Sequence, residues 1–385
     1  MKTKTNLFLF YTAFGLFYAG VIFEHTALYN SMNIKYACYC LACMFLALCC
    51  IVHSRFGVTR TRSIKQYIAL IITVVIFLLI IKTHDVYLFF IFLYGRIACE
   101  FDDKEINKLI KIAMYICCGF VIIIPILCIC GLIPNLNSIR GIGESSRLAY
   151  GFNHSQVLPI ISVYIVFMMY TIRKKVTLLN FGAVQLISII IYMIFDSRNA
   201  ILSIELFYLV YIFCCLITHK SKKRKKIIPI LGKCSVYMAA IFSFVFLELY
   251  RNHNSLAIVI DDILSHRFRE PLHYFTNGYM EYLKFRSYDE FYSLQLAVNK
   301  NLDNTYFYLV IRYGFVFLLL FGLFYNLLFD FYKRQNNLLA YEVLLTVSFS
   351  IMITNSLTSY FLPFLIIASR EMWLITKSKI NVLKL

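Results

Sequence analysis

Three polar stretches interrupt an otherwise apolar chain, and they gather many of its arginines and histidines. Residues 134–156, PNLNSIRGIGESSRLAYGFNHSQ, hold Arg140, Arg147, Asn153 and His154. A tight turn reads Asp196-Ser197-Arg198-Asn199, and residues 251–304 hold Arg251, His253, His266, Arg267, Arg269, His273, Asp303 and Asn304. Guanidinium groups form planar, bidentate, charge-assisted bonds and keep their proton, so a cluster of them suits an oligophosphate. A histidine titrates near neutral pH and can take the proton of an attacking hydroxyl. His266 adjoins Arg267, and His273 follows two turns later on the same face if that segment is helical. His154 stands just before an apolar run. Asp303 is the carboxylate alternative, with capping of the next helix as its competing role.

Plainer roles compete for each residue. A single arginine can anchor a headgroup or pair with Glu144, Asp261, Asp262 or Glu270, and a lone histidine is more often structural. Asp261-Asp262 reads as a solvated face, because adjacent carboxylates point apart on a helix. There is no Asp-x-Asp, no Gly-rich phosphate loop and no His-Glu-x-x-His. The expected site therefore needs no metal and no cofactor.

The elements that hold these residues are legible from hydropathy. Of 385 residues, 61% are hydrophobic and 15% charged, and mean hydropathy is +0.73. A spanning helix needs roughly 20 apolar residues. The chain predicts about twelve spans, near 7–23, 36–53, 67–83, 86–99, 109–132, 157–172, 177–195, 200–218, 227–249, 305–329, 338–357 and 360–375. Leu7 to Phe23 reads as a retained span, since no cleavage pattern follows it. The expectation is an all-α polytopic membrane protein, one membrane domain over 1–385, with long outer loops at 134–156 and 251–304.

Lys and Arg concentrate in alternate loops, among them Arg55, Arg60, Arg62, Lys65, Arg173, Lys174, Lys175 and the run Lys222 to Lys226. The positive-inside rule puts those loops and both termini in the cytoplasm. The net charge of +18 then lies mainly on that face, where anionic headgroups account for it and nucleic acid is not expected. All 13 cysteines fall in spans or at their edges, which argues for packing rather than a disulfide framework. Tyr274, Phe275, Tyr279, Tyr282, Phe285, Tyr288, Phe291 and Tyr292 suit helices lying flat at the bilayer interface.

This combination resembles the O-antigen and capsule polymerases of the Wzy type, within the O-antigen polymerase and ligase superfamily. The resemblance rests on the topology and on Tyr150-Gly151-Phe152-Asn153-His154, Asp196-Ser197-Arg198, Leu302-Asp303-Asn304-Thr305-Tyr306 and Arg312-Tyr313-Gly314. Some members carry an arginine and a glycine in each outer loop, with ten residues between them. Here those pairs are Arg140 with Gly151 and Arg267 with Gly278.

The resemblance implies an integral-membrane glycosyltransferase bundle of the GT-C-like kind in a bacterial inner (plasma) membrane, active on its periplasmic or outer face. The growing glycan on undecaprenyl pyrophosphate would move to the non-reducing end of the next lipid-linked repeat unit. Donor and acceptor are thus both lipid-linked oligosaccharides, and membrane lipids and a chain-length regulator are further expected partners. Arg140, Arg147, Arg198, Arg267 and Arg269 would bind pyrophosphate, with His266, His273, His154 or Asp303 as base and Gly151, Asn153, Gly278 and Asn304 in support. An O-antigen ligase shares donor and topology. A lipid-linked oligosaccharide flippase is the transport alternative, disfavoured by the few charges inside spans and the absence of an internal repeat.

Overall fold

The computed structural model describes residues 2–28, 31–54, 86–138, 147–218, 224–264, 266–280, 284–298, 302–353 and 360–378. The expected span 67–83, Arg140 and Glu144 lie outside them. Fifteen helices and one two-stranded hairpin are described. The helices are α1 (Lys2–Phe23), α2 (Ser31–Ser54), α3 (Val86–Ala98), α4 (Asp103–Ile129), α5 (Val157–Arg173), α6 (Leu178–Phe195), α7 (Arg198–Thr218) and α8 (Arg224–Arg251). There follow α9 (Ser255–Ile263), α10 (Arg269–Thr276), α11 (Tyr288–Val298), α12 (Thr305–Tyr313), α13 (Phe315–Arg334), α14 (Leu338–Ser350) and α15 (Leu362–Ser378). The strands are β1 (Asn137–Ser138) and β2 (Arg147–Leu148).

Among the described residues, 7 helices are long and apolar enough to cross a membrane: α1, α2, α4, α6, α7, α8 and α13. The apolar helices α3, α5 and α14 are shorter, at 13, 17 and 13 residues. The apolar run read as one span at 305–329 is two helices. Gly314 divides them at φ 89°, ψ 167°, serving both as C-cap of α12 and N-cap of α13. A positive φ suits glycine, and a hydropathy window is blind to it.

The chain forms two compact units, residues 1–61 with 100–204, and residues 62–99 with 205–385. In the first, α1 packs on α2 and α4, and α4 on α5. Gly20 leaves room for α2 to pack on α1, since a Cβ there would meet the Tyr39 ring at 2.8 Å. Phe17 packs against Tyr39, and the Tyr18 hydroxyl lies 3.4 Å from Cys117 Sγ. In the second unit, α8 packs on α9, α10, α13 and α14, and α15 on α3 and α13. Gly95 fits against Ser369, whose side chain a Cβ there would overlap. The Lys233–Asp330 pair (2.5 Å) links α8 to α13. One turn further along α13, Arg334 reaches Glu371 (2.7 Å), which also holds Arg370 (2.9 Å), while Arg370 Nε donates to Ala98 O.

Candidate functional site

In the first unit, the polar loop is stitched to the turn that follows α1. Asn153 donates its backbone N–H to His25 O (3.0 Å) and its amide to Glu24 O (3.2 Å), while Ala27 N–H donates to Gly151 O (2.8 Å). Gly151 adopts φ 83°, and a Cβ there would meet Ile124 and Cys128 of α4 at 3.0 and 3.1 Å. It is glycine for two reasons, the left-handed backbone and the close approach.

Ahead of that knot, β1 and β2 pair Ser138 with Arg147, whose side chain is buried. The Arg147 guanidinium pairs with Asp196. Asp196 closes α6 in the left-handed conformation (φ 46°, ψ 42°), which short polar side chains tolerate, and its N–H donates to Tyr192 O. The Tyr150 ring packs edge-on against Phe195, 5.2 Å away. Arg198, the first residue of α7, is exposed and pairs with nothing among the described residues.

His154 is exposed, and its Nδ1 accepts from the Gln156 backbone N–H at 3.2 Å. That bond leaves the proton of a neutral ring on Nε2, which then donates rather than accepts.

The second unit holds the more elaborate construction. Asp261, expected on a solvated face, is 0% exposed. Its Oδ1 accepts from Phe268 N–H (2.7 Å) and Arg269 N–H (3.3 Å), and its carbonyl accepts from His266 N–H (2.8 Å). The chain after α9 folds back on this carboxylate, so long-range contact buries what local spacing leaves open. Burial pushes its pKa above the ordinary 3.8, against the pull of the two N–H donors and His266.

The turn so fixed carries His266 at φ 66°, with Nδ1 3.6 Å from Asp261 Oδ2 and 3.5 Å from Asp262 Oδ1. These separations are longer than a hydrogen bond, so the two carboxylates act on the ring through their charge and do not hold it by a hydrogen bond. Arg267 follows, its side chain buried and paired with Asp303. Arg269 and His273 are exposed on α10, without side-chain partners among the described residues. Because α10 begins only at Arg269, His266 and His273 do not share a helical face. Gly278 ends this segment at φ 71° with open space around it.

The cap of α12 is Asn304, not Asp303. Its Oδ1 accepts from Tyr306 N–H (2.9 Å) and Phe307 N–H (3.4 Å), and its amide lies 3.2 Å from Ser243 Oγ on α8. Asp303 is thereby available to Arg267. Two further arginines, Arg286 and Arg312, are buried at the other end of α12. Arg286 N–H donates to Arg312 O (2.9 Å) and its guanidinium donates to Ile311 O, while Arg312 lies over the Tyr308 and Tyr313 rings. Arg286 was not singled out beside Lys284 in the aromatic-rich part of its loop, and Arg312 entered only through Arg312-Tyr313-Gly314, inside an apolar run.

Fold and loops together define a multi-pass α-helical membrane protein. No family model, curated protein or solved structure matches the chain.

Proposed function

We propose that the protein is a lipid-linked oligosaccharide polymerase. It transfers a growing glycan from undecaprenyl pyrophosphate to the non-reducing end of the next lipid-linked repeat unit. The observation that carries this reading is the turn 266–269, where a histidine beside two carboxylates adjoins a buried arginine. Transfer of this kind needs a proton acceptor for the attacking sugar hydroxyl and fixed cations for the departing diphosphate. His266 supplies the first, with Nδ1 turned to Asp261 and Asp262. Arg267 supplies the second, its guanidinium oriented by Asp303, with exposed Arg269 beside it.

Arg147, held by Asp196, and Arg198 repeat the same logic in the first polar loop, and Arg140 belongs to that loop as well. Two lipid pyrophosphates, donor and acceptor, enter each cycle, and two arginine-bearing loops are suited to them. The base takes the hydroxyl proton as the new glycosidic bond forms, the sugar–phosphate bond breaks, and free undecaprenyl pyrophosphate departs. The reading includes a twelve-span GT-C-like bundle in a bacterial inner membrane, with both termini cytoplasmic and the arginine loops outside.

The test uses membranes from a strain lacking the gene, supplied with lipid-linked repeat units. Wild type should yield a ladder of polymer lengths, while Arg267→Ala and His266→Ala at matched expression leave single repeats. A wild-type protein that makes no polymer but transfers finished glycan to another acceptor is a ligase. One that only changes the leaflet holding the lipid-linked sugar is a transporter.

A further inference from the structure

Helix α9 presents an apolar ridge that none of the described residues covers. Leu256, Val259 and Ile263 are 60%, 58% and 52% exposed and fall on one side of the helix, at its i, i+3 and i+7 positions. The flank of that ridge is polar, with Ser255 and the exposed Asp262. The opposite side holds Ala257 and Asp261, both fully buried.

Two features identify what covers the ridge. First, α9 follows directly on a membrane span. The chain leaves α8 at Arg251 and enters α9 at Ser255, so the start of α9 lies at most about 14 Å of extended chain from the end of the span. Second, α9 packs on α8, whose own exposed residues include Ile241, Phe242 and Val245. Both of the packed helices thus carry exposed apolar side chains.

From these features we infer that α9 is an in-plane membrane helix, its Leu256–Val259–Ile263 ridge embedded among the acyl chains of the leaflet at the Arg251 end of α8. An interfacial helix of this kind sinks its apolar side roughly 5–10 Å below the headgroups and keeps polar flanks in them. Asp261 on the buried side of the same helix fixes the turn of His266 and Arg267, which therefore stands at headgroup depth. This inference rests on the helix and its packing, independently of the chemistry proposed for that turn.

Tryptophan fluorescence tests it, because the chain has a single tryptophan, Trp373, whose signal in wild type gives the background. Val259→Trp, and Leu256→Trp as a second variant, are reconstituted in phosphatidylcholine and phosphatidylglycerol vesicles, with or without bromine on the upper part of the acyl chains. The added emission should be blue-shifted, lose most of its intensity to the brominated lipid and resist aqueous iodide. Asp262→Trp, at the polar flank, should be quenched by iodide instead. Iodide quenching of the Val259→Trp and Leu256→Trp signals would overturn the inference by placing the ridge in water. Blue-shifted emission insensitive to both quenchers would overturn it too, because a protein surface would then be the cover.

Discussion

Arg267 and Asp303 pair with unequal burial: the arginine side chain is 6% exposed and the aspartate 39%. The pair is therefore an anchored guanidinium with its counter-ion at the surface. Removing one partner of a buried ion pair typically costs about 3–5 kcal/mol, because the charge left behind stays desolvated.

That asymmetry predicts unequal effects of the two truncations. Asp303→Ala takes a carboxylate from the buried Arg267 and should lower thermal stability in detergent more than Arg267→Ala, which leaves a carboxylate already near water. Polymer formation should fail in both. Arg267→Lys keeps the charge but not the planar fork, and should retain well under a tenth of wild-type activity, an effect of about 1.4 kcal/mol or more. Melting curves and polymer ladders from the three variants give the check.

His266→Gln removes the proposed proton acceptor while keeping a polar side chain at that turn. Loss of a general base lowers turnover by roughly a hundredfold to ten-thousandfold. Half-saturation by the lipid-linked substrate should change little. His154→Gln and His273→Gln should each keep most of the turnover. A comparable loss at His154 would move the base to the first polar loop.

The two glycines of the polar loops should respond differently to alanine. Both have positive φ, at a cost of roughly 1–2 kcal/mol for alanine. Gly151→Ala also drives a Cβ against Ile124 and Cys128, so it should destabilise by more than that, whereas Gly278→Ala meets open space and should pay the backbone cost alone. Paired melting curves measure the difference.

Asp261 gives a pH dependence whose sign is fixed. Its folded-state pKa is raised by burial, so the folded protein favours the protonated carboxyl. Its contribution to stability is complete below the ordinary value of 3.8 and is lost as pH rises through the raised value. Asp261→Asn keeps an oxygen to accept from the Phe268 and Arg269 N–H groups and has no charge to lose. A series of melting curves at increasing pH should show this falling leg in wild type and its absence in Asp261→Asn.

The spanning helices were legible because a lipid-facing run of apolar residues is a local property. The expected span 7–23 falls within α1, 177–195 matches α6 and 200–218 falls within α7. Gly314 was not legible as a break, since its neighbours are apolar and only its dihedral angles divide the run. The polar loops were found from composition, but their internal pairing depends on chain reversal. Asp196 and Arg147 are far apart in sequence, and Asp261 is buried only because residues 266–269 return to it. Asp303 and Asn304 are both good capping residues, and Arg267 takes the first of them.

The most direct test of the account is reconstitution of the purified protein in vesicles with a defined undecaprenyl-pyrophosphate-linked repeat unit and no other enzyme. Polymer length and free undecaprenyl pyrophosphate are followed together. The account predicts a ladder of glycans on lipid, one free undecaprenyl pyrophosphate released for each bond formed, and neither product with Arg267→Ala or His266→Ala. Vesicles in which wild type leaves the repeat units single and the pyrophosphate esterified would contradict it.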